Sequence, residues 1–258
     1  MEHDTGRLPE PAGPTGPGRD SPQPSGPVRD PSGVAKYRHE ALAVVLRVIR
    51  GDADTHLAVL VRRRRRAPFA GCWALPSGPV EVNETIGASV RRHLASKVDL
   101  AEVAHLEQLE TLSRPDRDPF DRTIATAYLG VVPWDSEARL PDGVAWLRVG
   151  EIGEMAFDHA PVVGHGVARL RAKLSYTNIA FALAPAEFTL ARLRDAYAAA
   201  LGHEVAVTNL QRVLTRRGQL ESTGRVTPPG SHGGRPARLF RFTSRHLTVT
   251  DPFAVLRP

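Results

Sequence analysis

Two β-branched runs, Ala41–Ile49 (ALAVVLRVI) and His56–Arg62 (HLAVLVR), stand on either side of the turn-forming stretch GDADT and dictate a hairpin. Two further strands are expected over Val103–Leu112 and Arg122–Val132, flanking the polar loop SRPDRDPFD, with a short fifth at Ala145–Val149. Between the two pairs lies the loop WALPSGPVEVNE and a segment of helical period from Glu84 to about Lys97; a second helix is expected from Pro161 to Leu174. Strands and helices in this order give an α+β fold, organised as an α/β/α sandwich.

The chain of 258 residues is long enough for two cores. Residues 1–36 carry eight prolines and almost no large apolar side chain before Tyr37, and are read as a disordered Pro/Gly-rich tail. The remainder divides into a domain over 37–180 and a second over 181–258. No apolar run reaches the roughly 20 residues needed to cross a bilayer, and the N-terminus lacks the apolar core of a signal peptide, so no membrane partner and a cytoplasmic location are expected. A single cysteine, Cys72, excludes an internal disulfide and a cysteine metal cage.

Charge is unevenly spread: the net formal charge is −1 over residues 1–36, +1 over 37–186 and +6 over 187–258, where all eleven cations are arginine. Arginine grips phosphates and guanine edges bidentately, so the distribution points to nucleic acid. In this region Thr189 is placed to cap a helix with Leu190, Leu193, Tyr197 and Leu201 at helical spacing, Phe188 to staple onto Leu193, and Gly202 to end it. Thr208 is expected to cap a second helix ending at Gly218. Its Leu210, Val213 and Leu214 form one apolar stripe, and Asn209, Gln211, Arg212, Thr215 and Arg216 fill the opposite arc. No acidic residue occurs between Val205 and Leu220, whereas an ordinary solvated face mixes glutamate with lysine. A strand, a PPGSHGG loop and a returning strand RPARLFRF follow, with Phe240 and Phe242 inward. Two helices and a β-ribbon make a winged helix-turn-helix, with the second helix in the major groove. The expected DNA contacts are Thr208, Asn209, Gln211, Arg212, Thr215, Arg216 and Arg217 on the helix, with Arg225, Arg235 and Arg238 on the wing.

Within the first domain, Gly78, Glu84, Arg92, Leu94 and Leu100 fall on the loop-helix-loop spacing of the Nudix hydrolases, which this segment and the preceding Trp73-Ala74-Leu75-Pro76 resemble. In that family magnesium is held chiefly by glutamates at positions that are here His93, Ser96 and Lys97. On a helix these stand at i, i+3 and i+4, one face, and offer no carboxylate to a hard cation. No metal, cofactor or catalytic residue is therefore expected. Glu84 and Arg92 are retained, and the resemblance implies that they brace loop against helix as an ion pair. A phosphate-clamping pocket is expected from Arg64, Arg66 and Arg122, with Phe69 or Trp73 stacking on a base. His159 reads equally as a cap or a surface residue.

Taken in order, HLEQLETLSRPDRDP, TAYLGVVP, KLSYTNIAFAL and GGRPARLFRF resemble segments of the NrtR family of Nudix-related transcriptional regulators of NAD metabolism. The resemblance implies a homodimer on a palindromic double-stranded operator, repressing NAD biosynthesis or salvage genes, with ADP-ribose or an NAD-related nucleotide as effector. Ligand in the cleft is then expected to change the angle between the domains. The competing readings are a Nudix pyrophosphatase acting on ADP-ribose or NAD with an accessory nucleic-acid-binding domain, and an RNA-binding accessory protein.

Overall fold

The expected hairpin is the centre of the molecule. In the computed structural model, which describes residues 29–51, 54–136, 139–228 and 236–253, strand β1 (Arg38–Arg50) pairs antiparallel with β2 (Thr55–Arg63), Leu46 opposite Val59. On its other side β1 runs parallel to β6 (Thr123–Val131), which pairs antiparallel with β5 (His105–Leu112). Three short strands complete a seven-stranded sheet: β3 (Trp73–Ala74) and β7 (Val144–Arg148) on β2, and β4 (Ser77–Pro79) on β1.

Because side chains alternate along a strand, β1 feeds two cores. Ala41, Ala43 and Val45 pack with Val90 and Leu94 of helix α1 (Ile86–Val98), whereas Leu42, Val44 and Leu46 pack with Val163, Val167 and Leu170 of helix α2 (His159–Tyr176). Burial on both faces explains the unbroken apolar run and yields the α/β/α sandwich. A Cβ on Gly166 would lie 2.7 Å from Val44 Cγ1, so α2 approaches the sheet only because that position has no side chain. Helix α2 begins two residues before the expected Pro161, which sits in the first turn, where its missing N–H leaves no helical bond unmade.

Strand β8 (Phe188–Thr189), helices α3 (Leu190–Leu201) and α4 (Val207–Arg216), and strands β9 (Leu220–Val226) and β10 (Arg238–Phe242) form the winged helix, its sheet ordered β8-β10-β9. Thr189 Oγ1 accepts the Arg192 amide at 3.3 Å and Gly202 closes α3 at φ 80°, both as expected. Thr208 differs: the extended backbone falls at Ala206, so α4 starts two residues early and Thr208 lies inside its first turn, capping nothing. Residues 1–28 of the expected tail lie outside the described residues. Within residues 29–36, Asp30 Oδ1 accepts the Ser32 and Val34 amides at 3.1 and 3.0 Å and folds a turn closed by a bridge between Arg29 and Ala35.

The largest departure is at the join between the two halves. Ile179, Ala180, Phe181, Ala182 and Leu183 are at most 2 % exposed, and one apolar cluster runs from Leu42 of the sheet to Leu193, Leu210 and Phe242 of the winged helix. Phe188 packs at 6.0 Å from Trp134 and 5.2 Å from Phe242, and Arg171 of α2 donates to the Ala200 carbonyl of α3 at 2.9 Å. A changing angle between the halves would have to open this core, at roughly 25 cal/mol per Å² of apolar surface. The halves are seated on each other through this core.

Candidate nucleotide cleft and DNA-binding face

A cleft of about 650 Å³ opens over the ends of β1, β2 and β4. Its cations are Arg38, Arg62, Arg64, Arg65, Arg66 and Lys97, against the carboxylates Glu40, Asp118 and Asp121; Phe120 and Phe157 supply aromatic surface. The arginine run leaving β2 does not act as a unit. Arg63 turns away, its guanidinium 4.3 Å from the Trp73 ring centroid and donating to the Gly71 carbonyl at 2.8 Å. Arg64 donates to the Pro68 carbonyl at 2.9 Å and lies 4.6 Å over the Phe157 ring, which fixes it at the cleft wall.

Burial lowers the pKa of Arg62, reinforced by the charges of Arg65 and Arg64; burial also lowers that of Lys97, reinforced by Arg62. Cations that oppose one another in a half-buried recess gain from an anion. The opposite wall is the loop between β5 and β6, held by Arg117, which donates to both oxygens of Asp158 at 2.8 and 3.1 Å. Beside it His159 is buried, its Nδ1 accepting the Leu75 amide at 3.0 Å, and burial pushes its pKa down to about 3. It is a core residue that fixes the strand edge beneath the cleft, neither the cap nor the surface residue expected.

The bracing pair is present. Arg92 Nε donates to Glu84 Oε2 at 3.0 Å, the second guanidinium nitrogen reaches the Pro79 carbonyl at 3.0 Å, and Glu84 Oε1 accepts the Glu81 amide at 2.8 Å. Arg92 holds the Glu84 carboxyl at about 2, well below the usual range. The expected shared face of His93, Ser96 and Lys97 is only partly realised: Ser96 is exposed, while the other two reach under the Gly78 loop. His93 Nε2 lies 3.0 Å from the Pro79 carbonyl, and the Lys97 ammonium donates to the Ser77 carbonyl. Among the described residues no three His, Cys, Asp or Glu side chains group as a metal site. An ammonium and an imidazole do not fit magnesium, which takes oxygen ligands.

Of the expected ligand residues, Arg64 and Arg66 line the cleft and Phe69, Trp73 and Arg122 do not. Trp73 already carries Arg63 on its ring. Phe69, at φ 62°, packs edge-wise with Phe157 at 4.9 Å between ring centroids, and Arg122 lies 5.3 Å over Tyr37 and donates to the Arg114 carbonyl. Arg38, Arg62, Arg65 and Phe157 line the cleft as well. Arg62 and Arg65 belonged to a visible run, but only the pairing of β4 with β1 brings Arg38 to the cleft.

On α4, Leu210 and Leu214 are buried, and Thr208, Asn209, Gln211, Arg212, Thr215 and Arg216 are all exposed. Arg212 donates to Asn209 Oδ1 at 2.8 Å, which aligns the two polar side chains on the exposed face. Gln211 and Arg238 share a groove of about 280 Å³ with Thr189, at the start of α3, and Phe240. Arg217 does not belong to this face. One position past the helix, it rotates inward and donates to the Ser175 carbonyl and to Asp251 Oδ2, both at 2.8 Å. Arg225 is exposed but paired with Glu187 at 2.9 Å, and Arg235 lies outside the described residues. No helix among the described residues is long and apolar enough to cross a membrane.

A Nudix-type sandwich with a basic cleft, fused through a shared core to a winged helix with an exposed polar reading face, defines a two-part class of protein. The NUDIX domain matches residues 38–166, half of the chain, and the NrtR DNA-binding winged helix domain matches residues 180–242. The chain belongs to the Nudix family, in the branch that carries the NrtR winged helix. It is 28% identical over 203 residues to the ADPR responsive transcriptional repressor NtrR of Acinetobacter baylyi, covering 76% of this chain and 80% of that protein. It is 29% identical over 133 residues to the ADP-ribose pyrophosphatase of Methanocaldococcus jannaschii, covering 49% of this chain and 73% of that one. The crystal structure of Shewanella oneidensis NrtR superposes with a TM-score of 0.69 at 25% identity, over 80% of this chain and 94% of that one.

Proposed function

We propose that the chain is a transcriptional repressor of NAD biosynthesis or salvage genes, binding double-stranded DNA through α4 and the wing and sensing ADP-ribose or a related nucleotide in a non-catalytic Nudix cleft. The single observation that carries this reading is the continuous core from cleft to reading helix, since it gives a ligand at one end a packed connection to the other. The matched length of the ADPR responsive repressor supports it. Residues 37–180 form the sensing half and 181–258 the reading half.

Asn209, Gln211, Arg212, Thr215 and Arg216 contact base edges or flanking phosphates, Thr208 the backbone, and Arg225, Arg235 and Arg238 the wing's phosphates. Two copies form a homodimer on a palindromic operator in the cytoplasm. With the halves of each protomer seated together, ligand acts on the relation between protomers, which sets the spacing of the two reading helices. Selection of bound sequences from random duplex DNA tests this: enrichment of an inverted repeat is expected, and recovery without sequence preference would count against it.

The retained Glu84–Arg92 brace and the similarity to a pyrophosphatase favour one second reading, hydrolysis of ADP-ribose. Hydrolysis needs a group that generates hydroxide and offsets developing charge, and the α1 face offers His93 and Lys97 instead. Magnesium-dependent turnover of ADP-ribose at an ordinary enzyme rate of about 1–10³ s⁻¹ would replace the sensing reading with this one.

A further inference from the structure

Lys97 occupies an unusual position for a cation. It lies on α1, which has no acidic residue, and its ammonium extends beneath the Gly78 loop to the Ser77 carbonyl while also lining the cleft. A Cβ on Gly78 would stand 2.5 Å from Nζ and 2.3 Å from His93 Cε1, so the loop backbone rests directly on these two side chains. The carboxylate among the cleft residues that acts on it is Glu40, already paired with Arg38 at 2.7 Å. The charge of Lys97 is thus fixed in place and only weakly offset by the protein.

A nucleotide diphosphate entering the cleft brings negative charge out of water, and that charge must be met there. Magnesium does not fit the residues present. An ammonium has three donors, of which the Ser77 carbonyl takes one. Arg62 and Arg64 stand in the same cleft with further donors. Unlike a bound metal, an ammonium cannot supply a metal-bound hydroxide, so it neutralises without cleaving.

Resting on the nucleotide-sensing reading above, we infer that Lys97 takes the place of a metal ion in this cleft: its ammonium, held from Ser77, neutralises the diphosphate, and nucleotide binding needs no divalent cation.

Calorimetric titration of ADP-ribose into the full chain tests it, once in excess EDTA and once in magnesium, with the wild type and with Lys97→Met, which keeps the aliphatic stem and removes the charge. Wild-type affinity is expected to agree within about twofold between the two buffers, and Lys97→Met to bind at least tenfold more weakly, in both. Wild-type binding that is lost in EDTA overturns the inference whatever the fate of the variant. Equal binding by a Lys97→Met protein that melts like the wild type overturns it as well; in both cases ADP-ribose still binds, so sensing itself survives. ADP-ribose that binds the wild type in neither buffer removes the sensing reading and this inference together.

Discussion

Arg117 grips both carboxylate oxygens of Asp158 from the loop between β5 and β6, and the two side chains are only 3% and 13% exposed. The pair joins the loop carrying Asp118 and Phe120 to the start of α2, and so sets the far wall of the cleft. Removing one member of such a buried pair leaves the other charge uncompensated, at a cost of roughly 3–5 kcal/mol. Arg117→Ala is expected to lower unfolding free energy by about that much in urea titration, whereas Arg117→Met combined with Asp158→Leu should recover most of the loss.

His159 makes stability depend on pH in a defined window. Its folded pKa is held near 3 by burial against an ordinary 6.5, so the unfolded chain takes up a proton first. Its contribution is fully present above about 6.5 and is lost as pH falls from 6.5 towards 3. At pH 5 the loss is about 2 kcal/mol at 1.36 kcal/mol per pKa unit. His93, also lowered by burial, acts in the same direction. His159→Gln keeps an acceptor for the Leu75 amide and should flatten the decline between pH 7 and 5 in denaturant titrations; an unchanged slope would assign the pH dependence elsewhere.

Glu84 orders its loop through the Glu81 amide as well as through Arg92. Glu84→Gln keeps the size and removes the charge that holds the guanidinium. Exchange of the Glu81 amide with deuterium is expected to accelerate at least tenfold, while amides in the middle of β1 stay protected.

The arginines of the winged helix separate into three behaviours. Arg212→Ala, on the reading face, should relax sequence preference at one operator position by about 1–3 kcal/mol. Arg238→Ala should weaken all duplexes alike and lower the salt slope by about one unit. Arg217→Ala should instead lower thermal stability, because its guanidinium ties the end of α4 to Ser175 and Asp251. Loss of DNA affinity in Arg217→Ala without loss of stability would contradict that division.

Much of this was legible because local chemistry and tertiary structure agree: the β-branched runs, the Thr189 and Gly202 helix ends, the alternation of Phe240 and Phe242, and the Glu84–Arg92 spacing all carry their signal within a few residues. What escaped depends on contacts remote in sequence. Nothing near Trp73 shows that Arg63 will cover its ring, and nothing near Arg217 shows that Asp251 waits for it. The segment NIAFAL reads as the opening of a new domain, yet Ile179–Leu183 is among the most buried stretches, because apolar composition reports burial and not which half does the burying. Thr208 failed as a cap for a subtler reason: Ala206 takes the extended backbone the cap requires, and composition alone favours the hydroxyl.

On the proposed function, nucleotide at the cleft governs DNA at α4. Fluorescence anisotropy of an operator duplex recovered by selection, titrated with the full chain in EDTA with and without saturating ADP-ribose, tests it directly. Sequence-specific binding is expected, with an affinity that falls at least tenfold when ADP-ribose is present. Specific binding left unchanged by ADP-ribose, in wild-type protein shown by calorimetry to be saturated with it, would contradict it.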